Sequence, residues 1–419
     1  MNITVPKQVI ELAIEKQDIV NNIVNDVKSK LTSGVEVGPT EKVISPDMFS
    51  NVEDFDKFLR EWPGGLIFMQ AGTYITTGYS SNEPEKGSYI PPRTALQGEP
   101  GTFVQLCPPS YATTGFLRAL GSPVHRKDLY GGNSSVKDLV VLSLPSMPNL
   151  VISSVNLCGP NCEIERVRVC SQSNFSNDQE CFPISISDLP DYPCDNCKIE
   201  DCVFEGNLDS DGKQFTIMSI AGQFAKAKRC KIKNNRVVVG SLTIGSRPSY
   251  GNAFTISGGE DCVIEDNFLD GFLIGVYQDT WPTNGLVVRG NVFRNCQSGI
   301  TFLNDSESLY NYVKGYTTWR NIMIQNNMIL LKNSKVADED WPNSGIVLTN
   351  MRPHKQGSAI IEPFENCFVQ GNFINTVNPP VKGKENWAII AHNHEAKPHK
   401  GVVVTGNWYN NMLRISPNF

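Results

Sequence analysis

From Asp138 onward the chain is written in short apolar runs broken by turn residues, none of which is sustained at helical spacing. The stretch from Asp261 to Asp279, DCVIEDNFLDGFLIGVYQD, is the clearest copy. Its segments CVIE, NFL and FLIGVY alternate with period two, the spacing of strands that bury one face. The phrase returns as GLVVRGNVFRNCQSGITFLND, as NIMIQNNMILL with SGIVLTN, as NCFVQGNFIN with WAIIAHNH, and as GVVVTGNWYNN. Repeats of this kind cannot bury their apolar face singly and do so by stacking, so the pattern predicts an all-β solenoid of parallel rungs.

Aligning each repeat on the residue five before its turn Asn gives the column Cys162, Cys197, Cys230, Cys262, Leu286, Ile322, Cys367 and Val402. Cysteine shares this column with Leu, Ile and Val, which reads as a small buried hydrophobe stacked rung on rung and reduced, rather than as a disulfide framework or metal site. Five positions on, Asn235, Asn267, Asn291, Asn327, Asn372 and Asn407 form a second column. An Asn at a tight turn adopts left-handed backbone angles and bonds its neighbours above and below, so an asparagine ladder is expected. Val167 and Cys202 stand in this column in the first rungs, which are therefore expected to turn differently.

The N-terminal part departs from this pattern. Ile19, Ile23, Val27 and Leu31 recur at i, i+4 and predict an amphipathic helix within residues 6–31, packed either on its own chain or in a homo-oligomer, a trimer being the candidate state. A linker to residue 45 follows, so the domain reading is 1–45 helix and linker and 46–419 β-helix, with a short capping helix at 51–62 that Asn51 starts and WPGG ends.

After this helix come Gly-Gly, a strand, AGTY, a proline-led strand and LQGEPGTFV. Over residues 52–107 this succession resembles the N-terminal start of the pectate-lyase-like, or pectin-lyase-fold, right-handed parallel β-helix superfamily. The resemblance implies a right-handed, single-stranded parallel β-helix with an N-terminal helical cap, and the company of polysaccharide-active enzymes and phage tailspikes. The W-x-D-H segment of pectate lyases, the Asp-Asp, His-Gly and Arg-x-Lys motifs of polygalacturonases and the Asp-Pro-His of mannuronan epimerases are absent; YQDTW and the HNH at His392 only echo them.

Composition narrows the partner. Net charge is −6 over 419 residues, without a basic run, which argues against nucleic acid and anionic membrane surfaces. No apolar run approaches the roughly 20 residues that span a bilayer, and the N-terminus lacks the layout of a secretory signal, leaving cytoplasm, virion or secretion with the signal removed open. No cofactor is implied.

The largest insertions are expected after strands of the FLIGVYQD type, at Asp279–Asn284, Asp305–Arg320, Met351–Asn366 and Glu395–Lys400, and to line one edge of a groove for a linear glycan. Aligning Gln278 with Asn304, Asn350 and Asn393 predicts an amide column and sets Asp279 beside Asp305 on adjacent rungs, about 5 Å apart by the spacing of strands. Two carboxylates so close divide into an acid and a base or nucleophile, the equipment of a glycosidase. Asp188 and Glu307 compete for these roles. Tyr277 and Trp281 offer flat faces to a sugar ring. Arg352 and His354 are candidate substrate contacts, with Arg352 suited to the carboxylate of an acidic sugar. His392 and His394 share one face of their strand next to Thr349 and Met351; lacking a third ligand, the pair suits acid/base work better than zinc. The expectation is a glycoside hydrolase. A polysaccharide lyase acting on a uronate glycan and a non-catalytic glycan-binding adhesin or tailspike-like component are the alternatives.

Overall fold

A computed structural model describes residues 40–123, 131–142, 150–171, 180–189, 192–206, 215–222, 227–240, 251–271, 273–279, 283–303, 319–332, 344–349, 363–376, 387–392, 399–410 and 414–415. The helix expected within residues 6–31 lies outside them.

Each rung visits three sheets in turn. Gly259–Glu265 belongs to the first sheet, Phe268–Asp270 to the second and Ile274–Asp279 to the third, after which Asn284–Arg289 re-enters the first one rung higher. Equivalent strands pair in parallel across rungs, giving sheets of 15, 11 and 12 strands among the described residues. Among the described strands the exception is Tyr79–Ser80, antiparallel to Gly115–Gly121. The fold is the right-handed parallel β-helix that the repeats and the N-terminal resemblance predict. Its first strand, Glu41–Ile44, joins the first sheet within the stretch read as linker.

Among the described residues one α-helix, Val52–Glu61, caps the first rung. Asn51 Oδ1 accepts from the Asp54 amide at 2.9 Å, and Glu53 and Asp54 lie in the first turn, where negative charge suits the helix dipole. Phe55 and Leu59 point into the core, Phe55 packing on Tyr74 at 5.3 Å between centroids. Asp56 is buried as well. It accepts from the Thr76 hydroxyl at 2.6 Å, the Thr77 amide at 3.0 Å and the Thr77 hydroxyl, which pins the helix to the rung. Burial raises its pKa against these bonds.

The asparagine ladder forms. Asn235, Asn267, Asn291, Asn327 and Asn372 each donate through Nδ2 to the Oδ1 of the next Asn at 2.8–3.0 Å, and each also donates to a backbone carbonyl one rung back. The left-handed residue is not the ladder Asn, however, but the one before it: Asn234, Asp266 and Asn326 have φ of 53–56°. The Asn itself turns inward. This also corrects the expectation for the first rungs. Asp138, Arg166 and Asp201 have the same positive φ ahead of buried Leu139, Val167 and Cys202, so those corners turn alike, and the Cys202 amide donates to Asn235 Oδ1 at 2.8 Å to begin the ladder.

The column five residues earlier is apolar as expected. Cys162, Cys197, Cys230, Cys262, Leu286, Ile322 and Cys367 are at most 1% exposed, and the cysteines are free. Neighbouring thiols of the stack together with burial push Cys197, Cys230 and Cys262 upward, while burial raises Cys296 to about 12 and burial, with the Glu365 charge adding to it, raises Cys367 to about 12. The thiolate is the reactive species, so these groups should be inert in the folded chain. With Ellman's reagent on native protein, exposed Cys107 is expected to react within minutes and the buried column only on unfolding; mass mapping of rapid labelling at Cys230 would contradict the packing.

Candidate functional site

The face on which the sequence reading sets its groove is the outer face of the third sheet. Its strands are flanked by insertions at both edges and not at one. The connections 304–318 and 350–363 leave it toward the first sheet, and the connections 143–149, 207–214, 240–250, 332–343 and 377–386 enter it from the second.

The register of this sheet corrects the alignment behind the carboxylate pair. Asp279 pairs with Leu303, Leu303 with Thr349, and Thr349 with His392. Asp305 therefore lies two residues past the position beside Asp279, in a connection outside the described residues. The error came from matching two amides. Gln278 is fully buried on the inward face, level with Phe302, Leu348 and Ala391, so no amide column forms there. The small-residue signature Gly275, Gly299, Gly345 is what lines up: a Cβ at any of the three would fall within 2.7 Å of the next strand's carbonyl and of an opposing core side chain. With Leu303 beside Asp279, the spacing of about 5 Å that equal register would impose on the two carboxylates no longer applies.

Tyr277 lies two residues before Asp279 on the outer face and is half-buried. The backbone places His392 in the Asp279 column three rungs on, next to Thr349 as expected. Trp281, Asp305, Glu307, Arg352, His354 and His394 lie outside the described residues.

No protein-family model matches the chain, and no curated protein matches it significantly. Among solved structures it is similar to the A-module of the mannuronan C-5 epimerase AlgE6 of Azotobacter vinelandii, with 16% identity and a TM-score of 0.43 over 87% of this chain and 93% of that one. It is similar to an exopolygalacturonase of Thermotoga maritima, with 11% identity and a TM-score of 0.49 over 91% and 90%. It is also similar to the tailspike protein of E. coli bacteriophage HK620, in complex with pentasaccharide, with 13% identity and a TM-score of 0.46 over 90% of this chain and 55% of that one.

The same outer face carries groups that the repeat pattern did not single out. One column across the rungs reads Asn156, Ser185, Ser219, Thr255, Tyr277 and Thr301. They bond along the stack: Asn156 Nδ2 donates to the hydroxyls of Ser185 at 2.5 Å and Ser187 at 3.2 Å, and the Thr255 hydroxyl donates to the Tyr277 carbonyl at 2.9 Å. At the lower end Arg118 is 6% exposed. Its guanidinium lies over the rings of Phe116 and Tyr79, at 5.3 and 5.8 Å, and Nη1 donates to the Ser122 carbonyl at 3.3 Å. Beside it burial pushes the Cys158 thiol up to about 11, against the pull of the Arg118 charge, and Asp188 is buried on the same side. The signal was present in sequence as single hydroxyl or amide residues inside apolar runs, SSVN, ISIS and FTIS.

Proposed function

We propose that this chain is a carbohydrate-active enzyme that cleaves glycosidic linkages of a poly- or oligosaccharide lying along the outer face of the third sheet. The observation that carries the reading is the chemistry of that face. The outward positions of the first sheet bear charges that pair with one another, as Lys137 does with Glu163 at 2.5 Å and Lys233 with Glu265 at 3.1 Å. The third sheet instead carries a column of uncharged hydroxyls and an amide, each 1–8% exposed and several bonded along the stack, with half-buried Tyr277 among them and insertions on both sides. Uncharged donors and acceptors beside an aromatic ring match the hydroxyls and flat apolar faces of a sugar. Asp279, at the end of its strand, is the acid/base candidate on this face. Asp305 on the adjacent rung and His392 and His394 are candidates for the second catalytic role, and Tyr277, Trp281, Glu307, Arg352 and His354 for substrate contacts.

Incubation with a panel of neutral and acidic glycans, read for new reducing ends and for ultraviolet absorbance, tests this. The expected result is new reducing ends without absorbance. Absorbing products would mean elimination next to a uronate carboxylate and so a lyase. Saturable binding without chain cleavage would leave a glycan-binding protein and overturn the enzymatic reading.

A further inference from the structure

The outward positions of the first and second sheets change character along the solenoid axis. In early rungs charges recur among them, at Lys198 and Lys231 in the first sheet and at Arg168 and Arg236, alternating with Val203, in the second. In the last rungs the same columns carry Met323, Phe368 and Val403 in the first sheet and Met328, Phe373 and Trp408 in the second. Five of these six are 40–52% exposed, and the Phe373 and Trp408 rings stack at 4.3 Å. Gln325, Gln370 and Thr405, which separate the stripes at the corner, are uncharged. Arg320 and Lys400 both pair with Glu365, at 2.9 and 3.4 Å, forming an ionic border on the far side of the first-sheet stripe. An apolar centre with a polar rim is the anatomy of a protein contact, and monomers seldom expose so continuous a surface.

We propose that this corner is where parallel copies of the same chain meet, the first-sheet stripe of one copy packing on the second-sheet stripe of the next. Pitch and charge point to a second copy. Both stripes repeat at the strand spacing of about 4.8 Å, so side chains interdigitate over several rungs only with a surface of equal repeat, which a parallel copy supplies. The stripes carry no charge for an ionic partner to read, while earlier rungs of the same columns interpose Lys198, Lys231 and Arg236, which would resist the same contact there. Because the stripes flank one corner, a head-to-tail ring covers both in every copy.

Sedimentation velocity of the full chain at micromolar concentration, alongside a Phe368→Gln/Trp408→Gln variant, tests the assignment. The wild type is expected to sediment as a closed ring, and the variant as a monomer with dissociation at least 100-fold easier. Lys231→Gln, on the charged rungs, is expected to assemble as wild type does. Circular dichroism melting checks the fold of the double variant; should it fail to fold, Met328→Gln alone is read for the same shift toward monomer. A monomeric wild type overturns the proposal, as does a variant that stays assembled, the result expected if residues 6–31 alone hold the copies together. A dimer would overturn the ring.

Discussion

Replacing Asn291 by alanine is expected to cost on the order of 3–5 kcal/mol of stability, more than an ordinary surface substitution by an order of magnitude. Asn291 Nδ2 donates to Asn327 Oδ1 at 2.9 Å and to the Ile264 carbonyl at 3.0 Å, while its Oδ1 accepts from the amide and from Nδ2 of Asn267, both at 3.0 Å. The residue is 0% exposed, so water cannot replace any of these bonds without entering the core. Alanine would strand the Asn267 amide and the Ile264 carbonyl and remove a partner from each neighbouring ladder Asn. Asn291→Asp should be at least as damaging, because the carboxylate has no proton to give to either acceptor and burial penalises its charge. Denaturant unfolding followed by circular dichroism measures both. A loss below about 1 kcal/mol for alanine would mean that the ladder bonds are replaceable and that apolar stacking alone holds the corner.

The scaffold was legible because its signals are periodic and local. Alternation with period two, a recurring Asn and a column where Cys alternates with Leu and Ile follow from steric demands repeated at each rung, and the structure meets them at Cys262, Asn267 and Leu286 alike. The left-handed turn was misplaced by one residue, since Asn234, Asp266 and Asn326 precede the ladder and tolerate positive φ through the same short polar side chains that made the ladder Asn conspicuous. The groove was less legible. Its register depended on Gly275, Gly299 and Gly345, where a side chain would strike the core opposite, and a glycine column is quieter than a match of Gln278 to Asn304. The hydroxyl face was missed because one Ser or Thr inside an apolar run reads as ordinary strand composition until neighbouring rungs bring Asn156, Ser185, Ser219 and Thr255 into a line. The connections beside this sheet carry no repeat, so the sequence yields their place in the chain order and the residues in them one by one.

Asp279→Asn is expected to lower turnover by about 10²–10⁴-fold while leaving the melting transition in place. Asparagine keeps the size and hydrogen-bonding reach of the side chain but cannot take up or deliver a proton in the range where a carboxyl does. The backbone at this position pairs only with neighbouring strands, Asp279 lying level with Leu303, and that pairing does not depend on charge. The backbone places Asp279 two positions from Tyr277 and in the register column of His392, so on the proposed function a sugar resting on Tyr277 would bring its linkage within reach of the Asp279 position; a two-residue step along a strand is about 6.6 Å. With Leu303 as its register neighbour, Asp279 lacks the in-register carboxylate that would by itself divide acid from base, and a second group must come from elsewhere on the groove. Asp305→Asn, measured in parallel, tests the nearest candidate in sequence. Loss in both variants supports a carboxyl pair spanning strand end and connection. Loss in Asp279→Asn alone leaves the second role to a residue such as His392, which His392→Gln would then expose. An Asp279→Asn variant that keeps more than about a tenth of wild-type kcat would remove this residue from the chemistry, since substitution of a proton-transferring group costs at least about 10²-fold.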